Sequence, residues 1–334
     1  MTIAAELPSG RLQSSPTLRL VACAAAALLL ATASHAVAQP AVEAPSPLAA
    51  ARSAPAGGAI LATVHALTAP GMDGRAVGTA GNARARAWIL ERFRRIGLRP
   101  AGGDSFEAPF TFTNKAGATL SGVNLLAQCP GRLADLPVLV VSAHYDHLGV
   151  RDGQTYHGAD DNASGVAMLM TVAERCIASP FDRTLVLAAF DAEEQGLQGA
   201  RAFVAASPVP ADRIALNLNF DMVSRSDRRE IYVAGPGRWP LLLPIATAPA
   251  SRASIDVKFG HDTGGGQDDW TMQSDHGPFH TAGIPFVYLG VEDHADYHKP
   301  GDTADKIDAG FLGGVAAFVL DLVAALDGAR AFKE

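Results

Sequence analysis

Acidic and histidine side chains recur just past the C-terminal ends of apolar runs in this 334-residue chain. His144 and Asp146 follow the run 136–143, and Asp160 and Asp161 sit in the next loop. Asp191, Glu193 and Glu194 follow 185–190, Asp221 follows 214–220, and His294 to His298 follow 286–290. Ordinary surface acids scatter along helices, whereas groups at strand ends share the edge of an open α/β sheet where ligands bind. Two histidines with three or four carboxylates and no thiolate are a donor set for zinc or a similar borderline divalent ion. Charge favours two ions over one, because two divalent cations balance three ligating carboxylates and one hydroxide. Without metal the same acids would repel one another, which raises pKa values and costs stability.

Each of these residues also has a plainer reading. His144 and Asp146 stand two apart on an extended segment and point the same way, so Asp146 can brace one ring nitrogen while the other binds metal. The stretch GADDNASG (158–165) reads as a turn with helix caps, a role open to Ser164 even where Asp161 bridges two ions. Glu193 and Glu194 can divide the binding of metal and the holding of an attacking water, or simply decorate a helix N-terminus. Asp221 ends an apolar strand, where a carboxylate must be ligated, hydrogen-bonded or used as a cap. His298 shares its loop with Tyr297, a hydroxyl donor, and with Asp302 and Thr303, which suit helix capping as well as support. His147, His157, His261, His276, His280 and His294 read as hydrogen-bonded bystanders, and Asp275 equally as the cap of a short helix ending at Gly283 or as a substrate contact. There is no phosphate-binding glycine loop, dinucleotide fingerprint or nucleophile elbow.

The elements that must position these groups are legible as alternating apolar runs and helical stretches, which predict βαβ units and a parallel sheet. Strands apolar at consecutive positions fit a sheet covered by helices on both faces. Residues 82–96 form an amphipathic helix with Ala85, Ile89, Phe93 and Ile96 on one face, stopping at Gly97. A last helix over about 309–326 closes the domain. Upstream, Arg11 and Arg19 precede the apolar run 20–33 and the small residues 36–38, which reads as a secretory signal over 1–38. The run is too short to span a bilayer, and a lipidation box at Cys23 is disfavoured because the long apolar stretch lies after it. An Ala/Pro-rich tether over 39–58 leads to a domain over 59–334. Cys129 and Cys176 then either pair in an oxidising compartment or sit as buried small hydrophobes. With 27 basic against 34 acidic residues and a net charge of −7, the chain lacks the cationic clusters that hold nucleic acid or anionic membrane.

In order, SAHYDHLG, GADDNASG, FDAEEQGLQGA, NFDM, SDHGPF, AGIP and YHKPGDT make the chain resemble the di-zinc aminopeptidases of clan MH, the group of bacterial leucyl aminopeptidases and glutamate carboxypeptidase. The resemblance runs over about residues 64–326. It implies an α/β fold, with a mixed, largely parallel central sheet and helices on both faces in a single compact zinc-peptidase domain. It implies two zinc ions bridged by Asp161, with His144 and Asp221 completing one site and Glu194 and His298 the other. Glu193 would be general base, Asp146 would orient His144, and Tyr297 would stabilise the tetrahedral intermediate. A cis peptide is expected at Asp161–Asn162. The implied activity is removal of the N-terminal residue of peptides by a hydroxide bridging the ions, in an exported protein, periplasmic or secreted, with peptides as partners. The chain leaves no room for a protease-associated domain before His144 or a lid domain between Asp221 and His298. The competing readings are a single-zinc glutaminyl cyclase, which two complete ligand sets oppose, and a non-catalytic binding protein, which would have lost ligands or the base.

Overall fold

The computed structural model describes residues 57–264 and 268–333, so the leader read over 1–38 and nearly all of the tether lie outside the described residues. In chain order the strands are β1 (Arg99–Pro100), β2 (Glu107–Thr113), β3 (Thr119–Cys129), β4 (Val138–His144), β5 (Gly149–Arg151), β6 (Gln154–Tyr156), β7 (Leu185–Phe190), β8 (Ile214–Phe220), β9 (Glu230–Ala234), β10 (Asp256–Phe259) and β11 (Phe286–Gly290). The α-helices are α1 (Gly57–Leu67), α2 (Ala80–Ile96), α3 (Gly165–Ala178), α4 (Gln198–Ala205), α5 (Leu242–Ala250), α6 (His276–Thr281) and α7 (Ala309–Asp327).

Nine strands form one sheet in the order β1-β3-β7-β4-β8-β11-β9-β10, with β2 paired to β3. The middle four, β7, β4, β8 and β11, run parallel, and β3 and β9 join them antiparallel. The sheet is therefore mixed, with a parallel centre. Alternate residues of β4 and β7 feed two separate apolar clusters, which is why these strands are apolar at every position. Leu139, Val141, Leu185 and Leu187 face the larger cluster with residues of α1, α2, α3 and α7. Val140, Val186, Ala188 and Phe190 face a smaller one with Phe203 of α4 and Phe279 of α6. Truncating a fully buried member such as Leu187 to Ala would cost roughly 2–5 kcal/mol.

Helix boundaries follow local chemistry. Thr79 caps α2 by accepting from Asn82 N, and Gly97 ends it in the left-handed conformation at φ 90°. Ala85, Ile89 and Phe93 are buried on its inner face. Asp308 caps α7, accepting from Gly310 N and Phe311 N. Cys129 at the end of β3 and Cys176 on α3 form a disulfide, their Cα atoms 6.4 Å apart. Because the four central strands are parallel, their carboxyl ends share one edge, and the loops leaving it carry the groups singled out above. Residues 130–137 alone join β3 to β4, and β9, α5 and β10, between Asp221 and His298, belong to this same sheet and its cover.

Candidate functional site

The loops at that edge bring five distant side chains together. His144 Nε2 lies 3.3 Å from Asp161 Oδ1 and 3.3 Å from Asp221 Oδ1. His298 Nε2 lies 3.0 Å from Asp161 Oδ2 and 3.4 Å from Glu194 Oε2. The two oxygens of Asp161 thus face different partners, His144 on one side and His298 on the other. Donor atoms of His144, Glu193 and Asp221 lie within 4.8 Å of one another, as do those of His147, Asp161 and Glu194.

Neighbouring groups fix each of these residues in place. The backbone carbonyl of Asp146 lies 3.1 Å from His144 Nδ1, whereas the Asp146 carboxylate is 3.7 Å away. The brace expected from the side chain comes at shortest range from the main chain, with the Nδ1–H donating and the Nε2 lone pair turned toward the acids. The carboxylate of Asp146 accepts instead from Glu193 N at 3.0 Å and Glu194 N at 3.3 Å. These two glutamates sit in the turn before α4, between the positive-φ residues Ala192 and Leu197, and not at a helix N-terminus. The Asp161–Asn162 peptide is cis. Asn162 Nδ2 donates to Phe220 O at 2.9 Å, which ties this loop to the end of β8.

Asp302 does not cap a helix with its carboxylate, which accepts from Asp160 N at 3.0 Å and from Asp161 N at 3.1 Å. In turn Asp160 Oδ1 accepts from Ser224 N at 2.8 Å and Ser224 Oγ at 2.7 Å. Ser164 makes no cap either, because its hydroxyl donates to Asp160 O at 2.7 Å. Asp275 stands at the N-cap position of α6 without a side-chain cap bond, and neither of its buried oxygens has a partner among the described residues.

Two participants escaped sequence reasoning. His147, set aside as a bystander, is buried with Nδ1 at 2.7 Å from Glu194 Oε1 and 3.8 Å from Asp161 Oδ2. Its only sequence signal was its place three residues after His144. Arg75, fully buried, donates to Tyr145 O at 2.8 Å, Leu67 O at 2.8 Å, His157 O at 2.7 Å and Gly158 O at 2.9 Å. It clamps the chain on both sides of the site, and burial pulls its pKa down to about 10.

The charge pattern is one of surplus acid in an enclosed place. Burial, then Asp161, pushes Glu194 up to about 8, and burial lifts Glu193 and Asp275 well above the usual carboxyl range and raises Asp221. Against its own burial, Asp161 is held well below that range by His147, His144 and His298. His144 is raised well above its ordinary value, the pull of Asp221 and Glu193 overcoming burial, while burial lowers His147 to about 4. Glu194 Oε1 and His147 Nδ1 face one another at 2.7 Å without hydrogen-bond alignment, and His147 Nε2 has no hydrogen-bond partner among the described residues. Buried oxygen and imidazole donors without partners, crowded and short of positive charge, fit divalent metal of the zinc type. Asp161, Glu193, Glu194, Asp221 and His298 line a cavity of about 410 Å³ together with Tyr297, whose ring stacks on His298 at 4.0 Å, and the apolar residues Met222 and Trp270.

Comparison with known proteins bears on the family and the fold. The model of peptidase family M28 matches residues 124–323. Aminopeptidase YwaD of Bacillus subtilis is 30% identical over 206 residues, covering 59% of this chain and 42% of that protein. The probable lipoprotein aminopeptidase LpqL of Mycobacterium tuberculosis is 32% identical over 209 residues, covering 53% and 40%. The chain therefore spans well under two thirds of the length of these relatives. Among solved structures, a zinc aminopeptidase from Bacillus subtilis superposes with a TM-score of 0.69 at 18% identity, over 84% of this chain and 98% of that one. The glutaminyl cyclase of Porphyromonas gingivalis gives 0.65 at 18% identity, over 80% and 97%. These likenesses establish the fold.

Proposed function

The chain belongs to peptidase family M28, and from that premise we propose that it is an exported aminopeptidase using two zinc ions held by His144, Asp161, Glu194, Asp221 and His298. One observation supports the reading: the two oxygens of Asp161 face different histidines, His144, which also approaches Asp221, and His298, which also approaches Glu194. Metal bound there would supply Lewis acidity toward a scissile carbonyl and a water acidified toward neutrality.

The chain's own residues do the rest. Glu193, enclosed beside His144 and Asp221, receives the proton of the attacking water and passes it to the leaving amine. Asp146 holds the backbone of Glu193 and Glu194 in register with His144. Tyr297 donates its hydroxyl to the carbonyl oxygen as negative charge develops. Met222, Trp270 and Val291 line the cavity and support an apolar side chain on the residue released. Export is supported by the signal-like sequence over 1–38 and by the Cys129–Cys176 disulfide, a bond of oxidising compartments.

The test is a panel of aminoacyl anilides and N-acetylated counterparts, assayed with and without chelator alongside metal content per chain. Free-amine substrates should be cleaved, chelation should abolish cleavage, and two metal equivalents should be found. Equal cleavage of acetylated substrates would refute an exopeptidase, and one equivalent with ammonia released from glutaminyl peptides would point to the cyclase.

A further inference from the structure

The cavity beside the acid cluster carries three charges that the proposed chemistry does not use. Asp293, in the loop after β11, lines it and has neither an ion pair nor a hydrogen bond among the described residues. On the opposite flank lie two cations, Lys115 and Arg201. Arg201 gives Nε to Gly196 O at 3.1 Å and pairs with no acid, and Lys115 has no partner at all among the described residues. A protein with a net charge of −7 has acids to spare for its cations, so cations unpaired at a cleft invite an external anion.

Topology sets these charges apart. In the pairing of β3 with β7, Leu125 stands opposite Ala189, so residues 119–123 and the turn after Thr113 run on past the end of β7 and overhang the edge. This brings Lys115 to the β3 side of β7, the side that Arg201 of α4 also packs on. Asp293 follows β11, three strand positions away through β4 and β8. At ~4.8 Å per strand β7 and β11 stand about 14 Å apart, the reach of four extended residues at ~3.5 Å each, or of three where the long Lys115 and Arg201 side chains extend into the cavity they line. The acid cluster lies between the flanks.

We propose that the cleft selects short peptides carrying both free termini, with Asp293 facing the α-ammonium and Arg201 and Lys115 facing the α-carboxylate of a tri- or tetrapeptide. The inference rests on the aminopeptidase reading and adds to it a substrate class and three specificity-determining residues. Long chains and C-terminally blocked peptides forgo the cationic contact.

The test compares Leu-Gly-Gly with its C-terminal amide on the zinc-loaded full chain. The acid should exceed the amide in kcat/KM by about fivefold, as expected for partly exposed charge pairs. The double variant Lys115→Gln, Arg201→Gln should bring that ratio close to one, and Asp293→Asn should raise KM for Leu-Gly-Gly about fivefold, the loss falling on KM and not on kcat, with Asp293→Glu recovering part of it. An acid-to-amide ratio near one in the unaltered protein, or a preference that survives the double variant, overturns this inference alone. No hydrolysis of either peptide overturns the aminopeptidase reading and this inference with it.

Discussion

Chelation should leave a protein whose stability falls between pH 7 and pH 8.5, a fall the zinc-loaded protein should not share. Burial, then Asp161, holds Glu194 near 8 in the folded chain, against about 4.3 in an unfolded one. A carboxyl raised on folding binds its proton more tightly in the native state, so it favours the native state below its folded pKa, and the advantage is lost as pH rises through that value. Over this window Glu194 alone accounts for a loss of about 1 kcal/mol. His144 and His298 are also raised on folding and act in the same direction. His147, lowered to about 4 by burial, opposes them only weakly, because an unfolded histidine is already mostly neutral at pH 7. Asp161, lowered, titrates below the window. A loss of 1 kcal/mol in a domain of this size moves Tm by roughly 2–4 °C. Zinc competes with protons for the same atoms, so rising pH strengthens its hold and removes the trend. Thermal melts at pH 7 and pH 8.5, in chelator and in zinc, would read the difference. Parallel pH trends in the two conditions, or a metal-free protein that gains stability with pH, would refute the reasoning.

Glu193→Gln should keep both metal equivalents and lose roughly 10²–10⁴ in kcat; near-normal turnover removes Glu193 as the base. Tyr297→Phe should lower kcat by about 10²-fold with KM little changed, the mark of a donor used only as the oxyanion forms; a loss confined to KM would make the tyrosine a substrate-binding group. Asp302→Ala strips the acceptor from the buried N–H groups of Asp160 and Asp161, which should cost about 2–5 kcal/mol in a urea melt and weaken metal binding by roughly 10–100-fold. An unchanged metal affinity would show that the Asp161 loop holds its shape without this support.

How much of this was legible follows from the range of each interaction. Strands β4, β7, β8 and β11 stand out in the sequence because each is covered on both faces and apolar at consecutive positions, so the polar residue that ends each run marks the sheet edge. The edge strands do not: β10 is exposed or half-buried along its length, and β2 alternates exposed and partly buried residues, so neither makes a continuous apolar run. The inference about Asp146 met its limit where the strand stops. Side chains two apart share a face only while the chain stays extended, and β4 ends at His144. Past that point the backbone turns, its carbonyl meets the ring, and the carboxylate is released to hold Glu193 and Glu194. His147, Arg75 and Asp302 were missed or misjudged for a related reason, since each acts on chain at least 47 residues away or across several loops at once, and no local pattern marks such a contact. Residue type at a strand end is thus enough to nominate the groups that meet at the edge, while the residues that hold them there are chosen by loop packing, which short-range sequence patterns do not encode.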